Sequence, residues 1–123
     1  METNPISSDI FVIDDNEINR IVVKEMLSQY NLNIIFAKNG REALKAATTC
    51  ELQFFLMDLN MPIMDGYEAT TKIRKAGINT PIVALSAAVL AEEVERALHA
   101  GVDQHLAKPI DRKELIKVLR KYL

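Results

Sequence analysis

The chain has 123 residues, enough for one domain with a single hydrophobic core. Its 17 acidic residues nearly balance its 15 Lys and Arg, and 49% of the chain is hydrophobic, which disfavours disorder and excludes a generic polyanion binder, so we expect no nucleic-acid partner. A single cysteine, Cys50, excludes an internal disulfide and favours a reducing, cytoplasmic location, and no apolar run reaches the roughly 20 residues of a membrane span.

The N-terminal half of the chain predicts three strands and two helices. Three apolar runs are typical of buried strands in a parallel sheet, and they cover residues 10–13, 33–37 and 52–57. Behind a candidate N-cap at Asp15 or Asn16, apolar residues recur at helical spacing. These residues are Ile18, Ile21, Val22, Met26 and Leu27. Asn39-Gly40 predicts a turn before a second helix, which is marked by Ala43, Leu44 and Ala47.

The C-terminal half continues the alternation of helix and strand. A loop containing Pro62 leads to a helix that is expected to close near Gly77. The following helix places Val94, Ala97 and Leu98 on one face, and Asp111 caps the last helix. That helix covers residues 91–100, and two further strands are predicted at 81–85 and 104–107. Five βα units predict an α/β fold with an open, doubly wound, five-stranded parallel sheet, because an eight-stranded barrel needs more units.

Polar side chains with complementary chemistry follow four of the predicted strands. They are Asp14 and Asp15, Asp58, Ser86, and Lys108. Ligands of open α/β sheets bind outside the carboxyl ends of the strands, which is where these side chains are expected to lie. Three carboxylates need a compensating cation, and an all-oxygen donor set suits Mg²⁺, which commonly binds a phosphate as well. Asp58 ends the central apolar strand and is the best candidate nucleophile for an aspartyl phosphate.

A plainer interpretation is that polar residues follow strands because loops begin there. Asp65 and Asp111 are better explained as turn or cap residues, and the basic residues of the last helix as a solvated face. The sequence contains no P-loop, no GxGxxG motif and no GxSxG motif. These absences disfavour a nucleotide kinase, a dinucleotide-binding sheet and a serine hydrolase.

Four short motifs in this order resemble the receiver domain of two-component response regulators. They are Asp14-Asp15-Asn16, the run from Met57 to Gly66, Leu85-Ser86-Ala87 and Lys108-Pro109. The resemblance covers residues 10–123, leaves residues 1–9 as an N-terminal extension, and implies a flavodoxin-like, three-layer (βα)5 sandwich. The runs at 14–20 and 61–70 are most similar to receivers of hybrid sensor histidine kinases.

The resemblance implies a role for each motif residue. Asp58 would accept a phosphoryl group from a phosphohistidine, Lys108 would contact the phosphoryl oxygens, and Ser86 would move toward them and report to the fourth helix. The implied Mg²⁺ site combines the side chains of Asp15 and Asp58 with the backbone carbonyl of Asn60, and Asp14 would act through water. Such a domain catalyses its own phosphorylation and slow dephosphorylation.

One position departs from the family pattern. Receivers often carry Tyr or Phe three residues before the Lys, as a switch coupled to the hydroxyl, whereas this chain has His105. The imidazole either couples more weakly to Ser86, titrates near neutral pH as a switch of its own, or is a half-exposed side chain without a switch role.

The resemblance also implies partners. A histidine kinase or its dimerisation domain, or a histidine phosphotransfer protein, would dock on the first helix near Ile18, Ile21 and Val22. The fourth helix, fifth strand and fifth helix would form the output surface, unless Ala91 and Ala97 there are simply core residues. We expect no membrane contact by the domain itself, whether it is a stand-alone regulator or a piece of a membrane-tethered hybrid kinase.

Two other functions remain open. A phosphatase of the haloacid dehalogenase type also combines an Asp nucleophile, Mg²⁺ and Lys, but it uses an Asp-x-Asp at the first strand, where this chain has Asp14-Asp15. A degenerate receiver would serve only as a binding module. The complete set of three acids, Ser86 and Lys108 disfavours that alternative.

Overall fold

A computed structural model describes residues 7–61, 64–87 and 91–123 of the chain. The strands are β1 (Ser7–Ile13), β2 (Asn31–Ala37), β3 (Phe54–Asp58), β4 (Ile82–Ser86) and β5 (Gln104–Ala107). The helices are α1 (Glu17–Met26), α2 (Gly40–Thr49), α3 (Gly66–Lys75), α4 (Ala91–Ala100) and α5 (Arg112–Tyr122). All neighbouring strands are parallel, in the order β2-β1-β3-β4-β5, which confirms the predicted doubly wound α/β fold.

Two apolar layers cover the two faces of the sheet, because side chains alternate along each strand. Ile10 and Val12 of β1 belong to a cluster with residues of α1 and α5. Phe11 and Ile13 belong to a second cluster with residues of α2, α3 and α4. Every residue of β3 and β4 is buried, so the three-layer sandwich holds these central strands from both sides.

Side-chain caps fix where the helices begin. Asn16, one of two predicted candidates, caps α1 by accepting hydrogen bonds from the N–H groups of Ile18 and Asn19. Asp65 and Asp111 cap α3 and α5, as the sequence predicted. Gly77 follows α3 with a φ of 85°, a conformation in which glycine carries no steric penalty.

The start of β1 and the entry to α2 differ from the predictions. Ser7–Asp9, which the sequence assigned to an extension, are the first three residues of β1 and pair with Asn31–Asn33. These three residues are polar, so the search for apolar runs did not predict that they belong to the strand. Asn39 caps α2 and Gly40 is already helical, so this pair begins a helix where a turn was predicted. Residues 1–6, and the predicted loop residue Pro62 with Ile63, lie outside the described residues.

Two helices expose part of the apolar face that the sequence predicted. Val23 and Leu27 anchor α1, while Ile18, Ile21 and Val22 are 70%, 53% and 39% exposed. On α4, Ala97 is buried but Leu98 is 51% exposed, and Ala91 is also exposed. Among the described residues, we find no helix with the length and apolar character needed to cross a membrane.

Candidate functional site

The crevice between β1 and β3 opens where the strand order of the sheet changes direction. From β1 the chain turns to β2 through α1 on one face, and from β3 it turns to β4 through α3 on the other. The loops that follow β1 and β3 therefore separate and leave a crevice at the carboxyl edge of the sheet. Ligands of doubly wound sheets bind at such a position.

Three carboxylates meet at this crevice. Asp14 follows β1, Asp15 is its neighbour, and Asp58 is the last residue of β3. One carboxylate oxygen from each lies within 4.8 Å of the others. Asp14 and Asp58 are 2% and 1% exposed, whereas Asp15 is exposed. The structure therefore brings together the three acids that the sequence singled out.

Lys108 supplies one cation to the two buried carboxylates. It follows β5 and places its Nζ 3.2 Å from Oδ1 of Asp58 and 3.5 Å from Oδ2 of Asp14. One ammonium shared between two carboxylates leaves the buried part of the cluster with net negative charge. Burial makes such an imbalance costly, so the cluster favours either a further cation or a bound proton.

Asp58 shows the consequence of this charge imbalance. Burial raises the pKa of its carboxyl to about 6, and the charge of Asp14 adds to the rise. The hydrogen bond from the Asn60 N–H and the ammonium of Lys108 oppose the rise without cancelling it. An additional cation at the crevice would therefore favour the ionised form of Asp58.

The loop after β3 packs tightly against Asp58. The Asn60 N–H donates to Oδ1 of Asp58 at 3.2 Å, and the Gly66 N–H donates to the Leu59 carbonyl at 3.2 Å. A Cβ at Gly66 would lie 2.4 Å from the carbonyl oxygen of Asp58, closer than atoms can approach. Glycine at this position lets α3 begin directly beneath the acidic cluster.

Ser86 and His105 lie at the β4 and β5 side of the site. Ser86 is fully buried at the end of β4, and its carbonyl accepts a hydrogen bond from the Lys108 N–H. His105 pairs with Ala84 on the face covered by α2, α3 and α4. Its Nε2 is buried without a hydrogen-bond partner among the described residues, and burial lowers the pKa of the imidazole although Glu93 opposes that change. The imidazole as a whole is partly exposed, as one of the alternatives from the sequence has it, and only its Nε2 is enclosed.

Arg20 contacts the site although no separate role was predicted for it from the sequence. Its Nη1 donates a hydrogen bond of 2.6 Å to the backbone carbonyl of Asp14. Side chains in a helix lean toward its N-terminus, so an Arg in the first turns of α1 can reach the preceding loop. The separation of six residues between Asp14 and Arg20 was the sequence feature from which this contact could have been predicted.

The donor set fits a magnesium ion. Three carboxylates from two neighbouring loops offer oxygen ligands only, and the Asn60 backbone lies beside Asp58. Mg²⁺ prefers carboxylate and water oxygens, whereas zinc prefers nitrogen and sulfur. The crevice can therefore hold a divalent cation next to a buried carboxylate and an ammonium group.

Comparison with known proteins identifies the family of this site. The model of the response regulator receiver domain family matches residues 10–120. Sensor histidine kinase RcsC of Salmonella typhi is 37% identical over 113 residues, which are 92% of this chain and 12% of that kinase. The chain thus spans about an eighth of the length of this relative.

Solved structures give the same result. The receiver domain of sensor histidine kinase PA1611 from Pseudomonas aeruginosa, with a magnesium ion in its active site cleft, superimposes with a TM-score of 0.87 at 34% identity. That match covers 94% of this chain and 97% of the other. The receiver domain of Saccharomyces cerevisiae Ssk1, solved with the histidine phosphotransfer protein Ypd1, has a TM-score of 0.90 at 27% identity. It covers 98% of this chain and 91% of the other.

Proposed function

The chain belongs to the response regulator receiver domain family of two-component phosphorelays, and on this premise we propose that Asp58 accepts a phosphoryl group from a phosphohistidine in an Mg²⁺-dependent reaction. The environment of Asp58 carries the proposal. This buried carboxylate ends the central strand, has an ammonium group 3.2 Å away, and has two further carboxylates within reach.

The transfer is an in-line displacement at phosphorus. An oxygen of the Asp58 carboxylate forms the new O–P bond while the N–P bond of the donor breaks, and its electron pair leaves with the imidazole nitrogen. Lys108 already lies 3.2 Å from Asp58, so its ammonium group is positioned to bind the phosphoryl oxygens as they arrive. Burial of Asp58 excludes much of the surrounding water and strengthens these electrostatic contacts.

Four residues would hold the metal. Asp15 and Asp58 would bind through their carboxylates, Asn60 through its backbone carbonyl, and Asp14 through a water molecule. When bound, Mg²⁺ neutralises charge on the carboxylates and on the phosphoryl oxygens. The cluster distances of 4.8 Å or less and the raised pKa of Asp58 support this assignment.

The output of the domain would involve β4, β5 and the helices beside them. We propose that Ser86 moves toward the phosphoryl group and that α4, β5 and α5 form the surface that changes. His105 would act in this switch as a largely neutral imidazole, because burial lowers its pKa. If phosphorylation-induced chemical shifts are identical in the wild type and a His105→Tyr variant, His105 has no such role.

The partner would be a protein that carries a phosphohistidine. We propose that a histidine kinase, its dimerisation domain or a histidine phosphotransfer protein docks on α1, where Ile18 and Ile21 are exposed beside the acidic loop. The Ssk1 receiver, which has the same fold, was solved with such a phosphotransfer protein. Because its single cysteine, Cys50, is free, we propose that the domain works in the reducing cytoplasm, either free or within a sensor kinase.

Labelling with a small phosphodonor tests the function. The protein is incubated with acetyl phosphate and Mg²⁺, and we expect an acid-stable, base-labile phosphate on Asp58. Asp58→Asn should abolish the label, and EDTA should reduce it strongly. Asp65→Asn is the matched control, because Asn caps a helix as well as Asp does and Asp65 caps α3 outside the acidic cluster.

The other outcomes identify the alternatives. No label on the folded, Mg²⁺-loaded protein would contradict phosphoacceptance and favour a degenerate binding module. Rapid multiple turnover of the donor would favour a phosphatase. A label retained in Asp58→Asn would assign the chemistry to another residue.

A further inference from the structure

Arg20 connects α1 to the loop that carries the acidic pair. Its Nη1 donates to the Asp14 carbonyl at 2.6 Å. Arg20 lies in the second turn of α1 and is only partly exposed. The bond spans six residues and therefore closes the β1–α1 loop on itself.

The other contacts of Asp14 explain why this bond matters. The Asp14 N–H donates to the Ala37 carbonyl of β2, and Oδ1 accepts from the Asn16 N–H. Oδ2 lies 3.5 Å from Lys108. Arg20 supplies the contact to the remaining polar atom, the carbonyl oxygen. That carbonyl belongs to the peptide unit joining Asp14 to Asp15, so its direction sets the course of the backbone at the exposed acid.

We propose that Arg20 is a positioning residue that fixes the Asp14–Asp15 peptide, and thereby the direction of the Asp15 carboxylate, for binding of a divalent cation. The inference rests on the proposed Mg²⁺ site. The guanidinium touches a backbone oxygen and reaches the metal site only through Asp14 and Asp15. A charged donor holds a carbonyl more strongly than a neutral one, and a preformed ligand geometry lowers the cost of binding.

Replacement of Arg20 should change the Mg²⁺ affinity in opposite directions, depending on whether Arg20 acts through its charge or by positioning Asp15. A guanidinium bonded to the Asp14 carbonyl repels a divalent cation bound at the adjacent site, so its removal should tighten Mg²⁺ binding if charge alone mattered. Loss of a positioning contact should weaken binding instead, because Asp15 must then be ordered at the moment of binding. The sign of the change in affinity distinguishes the two roles.

The test measures Mg²⁺ dissociation constants by isothermal titration calorimetry for the wild type, Arg20→Gln and Arg20→Lys. We expect Arg20→Gln to weaken Mg²⁺ binding about tenfold, and Arg20→Lys, which keeps the charge but offers a single-point donor, to lose about threefold. In the metal-free protein, NMR should show shifted amide signals at Asp15 and Asn16 in Arg20→Gln. This second readout does not depend on phosphorylation, and Arg20→Lys serves if the glutamine variant does not fold.

Arg112→Gln is the matched control. Arg112 also donates from its guanidinium to a backbone carbonyl, that of Met26, at 3.1 Å and away from the acidic cluster. The Arg112→Gln variant should leave the Mg²⁺ affinity nearly unchanged. Unchanged or tighter binding in Arg20→Gln, or an equal loss in Arg112→Gln, would overturn the inference. Failure of the wild type to bind Mg²⁺ would instead contradict the proposed function, and the inference with it.

Discussion

At the level of single residues, the carboxylates of the crevice carry more negative charge than the ammonium group of Lys108 neutralises. Asp14 and Asp58 are buried, and Lys108 contacts both of them. Residues arranged for a ligand commonly reduce the stability of the protein without that ligand. The raised pKa of Asp58 is the clearest sign of this cost, because its carboxyl holds a proton at a pH where an exposed Asp has lost it.

The first prediction concerns the effect of pH on stability in the metal-free protein. The pKa of Asp58 is about 6 in the folded protein, against 3.8 for an unperturbed Asp side chain, so folding favours the protonated form. Wild-type stability should therefore fall as pH rises from about 4 to about 6 and stay low above that range, by up to about 3 kcal/mol. Asp58→Asn should not show this loss. Urea unfolding in EDTA at pH 4.5, 6 and 7.5 measures the difference between the two proteins.

A second variant checks the cause. Burial is the main reason for the raised pKa and the charge of Asp14 is a further one. The difference should therefore shrink, but not vanish, in an Asp14→Asn background. A constant difference between wild type and Asp58→Asn across this pH range would contradict the prediction.

At the scale of elements, the start of α3 is the tightest contact at the site. Gly66 begins this helix and approaches the Asp58 and Leu59 backbone too closely for any side chain. Its N–H also donates to the Leu59 carbonyl. The helix and the end of β3 thus constrain each other, and the backbone of Leu59 and Asn60 lies beside this contact.

The second prediction compares two glycine variants. Gly66→Ala should cost about 1–3 kcal/mol, because the new Cβ displaces backbone atoms of the site loop. Gly77→Ala should cost about 1–2 kcal/mol for a different reason, since it has open space but a φ of 85°. Only Gly66→Ala should also slow labelling of Asp58 by acetyl phosphate. Urea unfolding measures the two losses of stability, and labelling with acetyl phosphate measures the effect on Asp58. Equal labelling rates in both variants would contradict the expected link between the start of α3 and the site.

On the scale of the whole molecule, the acidic crevice and the exposed apolar residues of α1 lie on connected parts of the chain. Asn16 caps α1 directly after the Asp14–Asp15 loop, and Ile18 and Ile21 follow within the first two turns. Exposed apolar side chains next to a reactive site are typical of a surface that binds a protein partner. A partner seated there would bring its reactive group close to Asp58.

The third prediction separates docking from chemistry. Ile18→Ser with Ile21→Ser should slow phosphotransfer from a phosphorylated histidine phosphotransfer protein by about tenfold or more. Labelling by acetyl phosphate should be unchanged, because both side chains are largely exposed and Ser and Ile have similar helix propensities. Leu98→Ser, which replaces a residue on α4 that is about as exposed as Ile21, is the control. If both reactions slow equally, the α1 residues support the fold or the site and not docking.

The sequence by itself determined the order of elements and the identity of the acids. Short apolar runs ending in polar residues, and Asn or Asp before four of the five helices, are local signals that depend on neighbours along the chain. They were sufficient to predict five parallel strands, the caps Asp65 and Asp111, and the carboxyl-edge positions of Asp14, Asp58 and Lys108. The polar start of β1 at Ser7 gave no such signal, because only its pairing with β2 makes it a strand.

The tertiary structure decided which side chains are buried, which are exposed and which contact one another. Helical spacing alone placed Ile18, Ile21 and Val22 in one apolar pattern, but packing against the sheet buried Val23 and Leu27 and left those three exposed. The bond from Arg20 to Asp14 and the close approach of Gly66 to Asp58 also depend on the folded backbone. Periodicity records which residues share a side of a helix, whereas burial and contact depend on elements distant in sequence, and only the folded chain brings those elements together.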